Sequence, residues 1–329
     1  MTIVRSRTRV PGPVARLLAA LAATLWCATA AAQAWPARPI RFVVPFSPGG
    51  ANDLLARAAA EGASKALGQP IIVENRPGAG ATVGAAAVAR SAPDGYTFLA
   101  SAAGIVSNSL IKKSMPYRDD ELVPVVMIGL APSVVLVPAD SPHKDLKAFV
   151  AASRGGAGLN FATAGTGSTP HFVAEVLRTR YGARLDIVPY KSGSDSVTAL
   201  IGRQIEATSE ASIVALPYLR SGRLKALAST WTQRVSALPQ LPTAVEQGFA
   251  DLQIAHWAGL HAPRGTPEPI LDAMARAVDA AMHAPATVER LRSAGIEPLG
   301  GTRAAFIEFV AAERARLAAV AKASGMTDE

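Results

Sequence analysis

The sequence predicts an α/β fold made of two Rossmann-like lobes with a ligand cleft between them. Short apolar runs bounded by Gly, Pro or Asp alternate with stretches of helical periodicity along the whole chain, the pattern of sheets flanked by helices. Two glycine-rich turns, PFSPGGAND at Pro45–Asp53 and TAGTGSTPH at Thr163–His171, each follow one apolar run and open one helical run. They lie too far apart for a short-period repeat and read as equivalent positions in two lobes.

The first element is a targeting segment. Arg5, Arg7 and Arg9 precede an apolar stretch, Leu17–Ala32, that ends in Ala32-Gln33-Ala34. This is the layout of a signal peptide, residues 1–34, cleaved before Trp35; the stretch is short for a membrane span. An uncleaved anchor and a lipoprotein through Cys27 are the alternatives, and Trp26 stands where the latter needs a small residue. Cleavage removes four arginines and no acid, which halves the formal net charge of +8. It also removes Cys27, the one cysteine of the 329 residues, so the mature chain has neither disulfide nor thiolate chemistry. The remaining basic residues are scattered among few aromatics, so no nucleic-acid partner is expected.

Strands are expected at Ile40–Val44, Ile71–Glu74, Tyr96–Ser101, Val123–Leu130, Val134–Val137, Leu159–Ala162, Leu185–Tyr190, Leu224–Ser229 and Leu252–Leu260. Such alternation implies parallel sheets. Helices follow the turns at Leu54–Leu67 and Phe172–Tyr181. Ile270, Met274, Val278 and Met282 fall on one face of another, with Thr266 as N-cap and Pro267 at its first position. Phe306, Phe309, Val310, Leu317 and Val320 stripe the last. Ala131-Pro132 with Val137–Pro142 is the first crossover and Gln253–Trp257 the return. Lobe one is then 35–136 plus 256–329, and lobe two 137–255.

A strand–turn–helix unit aims unpaired backbone N–H groups and the positive end of a helix at one spot. In the first turn Gly49 and Gly50 clear the approach, and Asn52 or Asp53 caps the helix. In the second, Gly165 and Gly167 clear the approach while Thr166, Ser168 and Thr169 add hydroxyl donors. His171 is either a ligand contact, an orienter of the loop, or a capping or packing histidine. Neither turn contains Lys or Arg, so attraction for an anion comes from amides and hydroxyls. A third passage, VPYKSGSD, brings Lys191, which either reaches an anion or is solvated, and Ser194 or Asp195 as helix cap. NRPGAGATVG, Asn75–Gly84, lacks the acid at the end of a following strand that a dinucleotide site requires, and reads as a structural loop and helix start.

Catalysis has little footing. No G-x-S-x-G elbow is present, and His143, His171, His256, His261 and His283 show no metal-binding spacing. Glu206 and Glu210 read as a solvated or edge pair. No cofactor, metal or catalytic residue is expected.

Taken together and in order, Trp35-Pro36-Ala37-Arg38-Pro39-Ile40, VVPFSPGGANDLLAR, VENRPGAG, PDGYTFL, GTGSTPH, VPYK and WAGLHAPRGTP make the chain resemble the substrate-binding proteins of tripartite tricarboxylate transporters, the TctC or Bug family. The resemblance implies a periplasmic, monomeric protein of the type II periplasmic binding protein fold. It implies a small carboxylate held between Phe46, Ser47, Gly49, Gly50, Asn52 and Asp53 on one side and Ala164 to Ser168 on the other, with His171 nearby. It implies one small and one large membrane subunit as transport partners. Ser192 and Arg203-Gln204-Ile205-Glu206 depart from the family pattern near the second lobe's cleft. A ligand sensor feeding a signalling partner, and an exported hydrolase using Ser168 and His171, are the competing readings.

Overall fold

The computed structural model describes residues 35–327; the expected signal peptide lies outside them. From Arg38 onward the chain forms one compact unit. It opens with β1 (Ile40–Val44), α1 (Ala51–Leu67), β2 (Ile71–Asn75), α2 (Thr82–Ala89), β3 (Thr97–Ser101) and α3 (Gly104–Ile111). β1 pairs in parallel with β2 and β3. Ile40, Phe42, Val43 and Val44 are all buried, as a strand covered on both faces requires. α1 buries Leu55, Ala56, Ala59 and Ala63 and ends at Gly68 in the left-handed region, a common helix stop.

β4 (Leu122–Pro138) is one strand of 17 residues, where the sequence suggests two strands split at Ala131-Pro132. The proline is tolerated because the ladder changes partner there. β4 runs against β9 (Ala255–Pro263) up to the pair Pro132–Ala255, and against β7 (Ala207–Ala211) from the pair Ser133–Ala211 onward. Proline, which cannot donate to a ladder, is confined to such interruptions. The expectation of purely parallel sheets is corrected accordingly: β3–β9, β4–β9, β4–β7 and β4–β8 are antiparallel.

The second half contains α4 (Leu146–Ser153), β5 (Leu159–Thr163), α5 (Thr169–Tyr181), β6 (Leu185–Pro189), α6 (Gly193–Ile201), β7, α7 (Ser212–Arg220) and β8 (Leu224–Ser229). β5 pairs in parallel with β6 and β7. β7 escapes a hydrophobicity reading because Ala-Thr-Ser-Glu-Ala looks polar, yet all five residues are buried. Its hydroxyls are paired: Thr208 donates to the Ala162 carbonyl at 2.9 Å, and Ser209 meets Ser133 at 2.5 Å. The sheet order is β2-β1-β3-β9-β4-β7-β5-β6, with β8 and β10 (Glu297–Pro298) also on β4.

β9 begins at Ala255, three residues later than the apolar run, because Leu252 and Ile254 are buried in the loop before it. α8 (Glu268–His283) starts one residue later than expected: Pro267 is its N-cap, and the Thr266 hydroxyl donates to the Pro263 carbonyl instead. After α9 (Pro285–Ser293), α10 (Arg303–Ser324) closes the chain. It packs on both α3 and α5 and sets Phe306 and Phe309 edge-on against Trp257. No helix among the described residues is long and apolar enough to cross a membrane.

Candidate functional site

The first turn leaves the end of β1, and its shape is held from behind. Gly49 has φ +91°, a conformation that favours glycine. Gly50 is the N-cap of α1, in extended geometry and without a side-chain cap, so neither Asn52 nor Asp53 plays the capping part expected of them. Asp53 is buried and accepts the Gly49 N–H at 3.0 Å, two bonds from Arg57 and one from Asn75 at 2.9 Å. Burial alone would push this carboxyl up. The Arg57, Gly49 and Asn75 hydrogen bonds outweigh it and hold the group below the ordinary aspartate range. Asn75 also donates to the Phe46 carbonyl at 3.0 Å. The Asn52 amide donates to the carbonyls of Ser101 and Trp257 at 3.1 and 3.2 Å, tying the start of α1 to the end of β3 and to β9. Ser47 and Gly49 are exposed and Phe46 is half-buried. The first α1 amides, on Ala51, Asn52 and Asp53, have no intrahelical acceptor by geometry.

Asn75–Gly84 is the structural loop and helix start its sequence suggests, running from the end of β2 into α2. Asn75 braces the first turn, and the Gly80 carbonyl accepts from Asn108 of α3 at 2.7 Å.

The second turn leaves the end of β5. Ser168, the N-cap of α5, donates its hydroxyl to the Gly165 carbonyl at 2.6 Å. The Gly167 N–H donates to His171 Nδ1 at 3.2 Å, and His171 Nε2 lies 3.6 Å from Glu175. Acceptance at Nδ1 puts the ring proton on Nε2, facing that carboxylate. His171 thus orients the loop through Gly167, while Ala164 and Gly165 are half-buried and Thr166 is exposed.

The second turn sits on α3. The Ser107 hydroxyl is 3.5 Å from the Gly167 carbonyl. A Cβ on Gly167 (φ +74°) would fall 2.1 Å from Ile111 Cδ1. α3 follows β3, the parallel neighbour of β1, so α3 and the first turn leave the same sheet edge. Ligands in α/β sheets bind at such carboxyl edges.

The third passage differs from expectation at its cap. Ser192, not Ser194 or Asp195, is the N-cap of α6: its hydroxyl accepts the Asp195 N–H at 3.2 Å and donates to the Asp195 carboxylate at 2.9 Å. Lys191, Ser194 and Asp195 are exposed.

Glu210 is the residue that sequence reasoning missed. Glu206 accepts the Asn160 N–H at 2.8 Å. Glu210, however, is only 6% exposed and lies against Gly193, where a Cβ would be 2.4 and 2.5 Å from its two carboxyl oxygens. Burial pushes its pKa up to about 7, against one hydrogen bond from the Ala211 N–H. Only the glycine opposite hints at it in the sequence. Where β4 changes partner, Ser133 Oγ also lies 3.5 Å from His256 Nε2, and burial pushes that imidazole down to about 4. A surface depression of about 450 Å³ lined by Glu175, Arg178, Arg184 and Asp186 lies further along α5.

Comparison with known proteins places this geometry among relatives. Residues 55–326 match the family model described as "Tripartite tricarboxylate transporter family receptor". The structure of the periplasmic binding protein BugD is 31% identical, covers 90% of this chain and 100% of its own, and superposes with a TM-score of 0.78. Rpa4515 of R. palustris with adipate is 32% identical, with 89% and 99% coverage and a TM-score of 0.81. MatC of Rhodopseudomonas palustris with bound malate is 32% identical, with 87% and 99% coverage and a TM-score of 0.76.

Proposed function

The chain belongs to the tripartite tricarboxylate transporter receptor family and has its two-lobed type II periplasmic binding protein fold, and on that premise we propose that it captures a small carboxylate between the Phe46–Asp53 and Ala164–Ser168 turns and passes it to the membrane subunits of a secondary transporter. In this reading the protein is exported by its signal peptide and works as a periplasmic monomer.

One observation carries the reading. Two helix N-termini, those of α1 and α5, start from glycine turns at the carboxyl edges of their strands, and the second turn rests on α3, the helix that follows β3, the parallel neighbour of β1. The positive helix ends and unpaired amides suit an anion without a cationic side chain. The adipate and malate complexes of two relatives support a carboxylate as the anion.

Capture proceeds by hinge closure. The segments 35–136 and 256–329 act as one lobe and 137–255 as the other, with β4 and β9 as the crossing strands that bend between them. The carboxylate docks on the amides of one turn, and the other turn closes over it. Each charge-assisted hydrogen bond contributes ~1.5–3 kcal/mol once water is excluded. His171 keeps the second turn in shape, and Asp53 with Asn75 keeps the first.

The test is a thermal-shift and calorimetric screen of the protein against mono-, di- and tricarboxylates. A ligand that binds only the folded state raises the melting temperature. Gly167→Val drives a side chain into Ile111 and prevents the second turn from seating. Ser47→Asp places a negative charge in the first turn without crowding a core. Both variants are expected to stay folded by circular dichroism and to lose binding at least about tenfold. Wild-type affinity in both would remove the turns from the site.

A further inference from the structure

The floor of the second half holds a buried carboxyl oxygen with no hydrogen-bond partner among the described residues. β5, β6 and β7 run parallel, so their carboxyl ends, at Thr163, Pro189 and Ala211, open on one edge. Glu210 is the penultimate residue of β7. The register pairs Thr208 with Ala162, so Glu210 stands level with Ala164, the start of the second glycine turn. Its other neighbour is the first turn of α6, where Gly193 leaves room for the carboxyl. Val134, its cross-strand partner, forms an apolar cluster with Ala162 and Val197.

Glu210 Oε1 is buried and has no hydrogen-bond partner among the described residues. Thr163 Oγ1, at the end of β5 where the second turn begins, is buried and unpartnered as well. Buried polar groups in folded proteins are nearly always satisfied, and a lone buried carboxyl is costly. Thr163 points to the opposite face of the sheet from Glu210, so it is the Glu210 oxygen, level with the start of the second turn, that marks the place where a bound molecule supplies the missing partner.

Resting on the carboxylate-receptor reading above, we propose that Glu210 is a specificity-determining residue that accepts a hydrogen bond from a donor carried by the ligand, so that the preferred ligand is an amino- or hydroxy-substituted carboxylic acid and not a plain one. The backbone amides of the turns hold the carboxylate end. Glu210 receives the ammonium or hydroxyl end. The two halves of the recognition are complementary: helix ends attract the anion, and a buried carboxyl rejects any second anion placed against it.

The sign of proton exchange follows from the same geometry. Burial pushes the pKa of the ligand-free Glu210 up to about 7. An ammonium facing it favours the ionised form and expels the proton. A plain carboxylate packed there does the reverse and draws a proton in. The charged groups on the elements around Glu210 are few: Asp195 of α6 is exposed and bonded to Ser192, Lys191 just ahead of α6 is exposed, and His171 is tied to Gly167 and Glu175. β4 and β5 face it with Val134 and Ala162. Loss of the exchange in Glu210→Gln is what assigns the proton to this carboxyl.

The experiment is titration calorimetry of the protein with matched series: succinate, malate and aspartate; glutarate, 2-hydroxyglutarate and glutamate; adipate and 2-aminoadipate. Each is run in two buffers of different ionisation enthalpy and again with Glu210→Gln, which keeps the shape and removes the charge. The expected result is an amino or hydroxy member at least about tenfold tighter than its plain parent, the value of one charge-assisted hydrogen bond. An ammonium ligand is expected to release a proton near pH 7, and Glu210→Gln to lose both the preference and the release. Plain acids binding as tightly as their substituted partners, proton uptake with an amino acid, or an unchanged preference in Glu210→Gln would overturn the assignment. Failure of every carboxylate to bind would overturn the receptor reading as well, and so separates the two.

Discussion

Asp53 uses its charge inside the protein. In the sequence it stands at the end of a glycine turn and reads as a cap or a ligand contact. In the fold it accepts the Gly49 N–H and is clamped by Arg57 and Asn75. A consequence can be measured. Its folded pKa lies below the ordinary 3.8, so its stabilisation is complete above that value and disappears as pH falls through the lowered one. Asp53→Asn is therefore expected to be less stable than wild type at neutral pH, and to lose less further stability below about pH 4. Acid unfolding of both proteins by circular dichroism checks this; parallel acid limbs would show that the brace does not depend on charge. Glu210 is the opposite case. Its burial depends on β7, a strand too polar to see, and on Gly193, far from it in the chain, so no local pattern exposes it. The hydroxyls and glycines of the two turns were legible because one short segment contains both the strand end and the helix start.

α6 and β7 are coupled through that same pair. A methyl group on Gly193 would meet both carboxyl oxygens of Glu210 at under 3 Å, and both groups sit on rigid elements. Gly193→Ala is expected to cost about 1–3 kcal/mol despite the better helix propensity of alanine. In a Glu210→Ala background the same substitution should be neutral or slightly stabilising, because the space has been vacated. Urea unfolding of the four proteins gives the coupling directly; equal costs in both backgrounds would mean that the close approach is relieved elsewhere. β4 carries the other lesson at this scale. Ala131-Pro132 reads as a break because proline cannot feed a ladder. The strand passes straight through, because the missing donor falls where the partner changes from β9 to β7. That change of partner depends on tertiary pairing, which hydropathy does not encode.

At the scale of the molecule, alternating apolar runs and helices made the α/β class readable, and the ordered motifs made the family readable. The antiparallel passage of β4 and β9 through the sheet was not, since strand direction depends on which distant segments meet. What unites the molecule is that both glycine turns leave carboxyl edges of parallel strands, while α10 packs on α3 and α5 alike. Binding by such turns requires ligand oxygens to be held by main-chain N–H groups. The most direct measurement is a ¹H–¹⁵N amide titration of the assigned protein with the tightest carboxylate from the screen. The account predicts saturable downfield shifts at Ala51 and Asn52 in the first turn and at Thr166, Thr169 and His171 in the second, with one common affinity. Saturable binding that moves amides elsewhere and leaves both turns in place would contradict it.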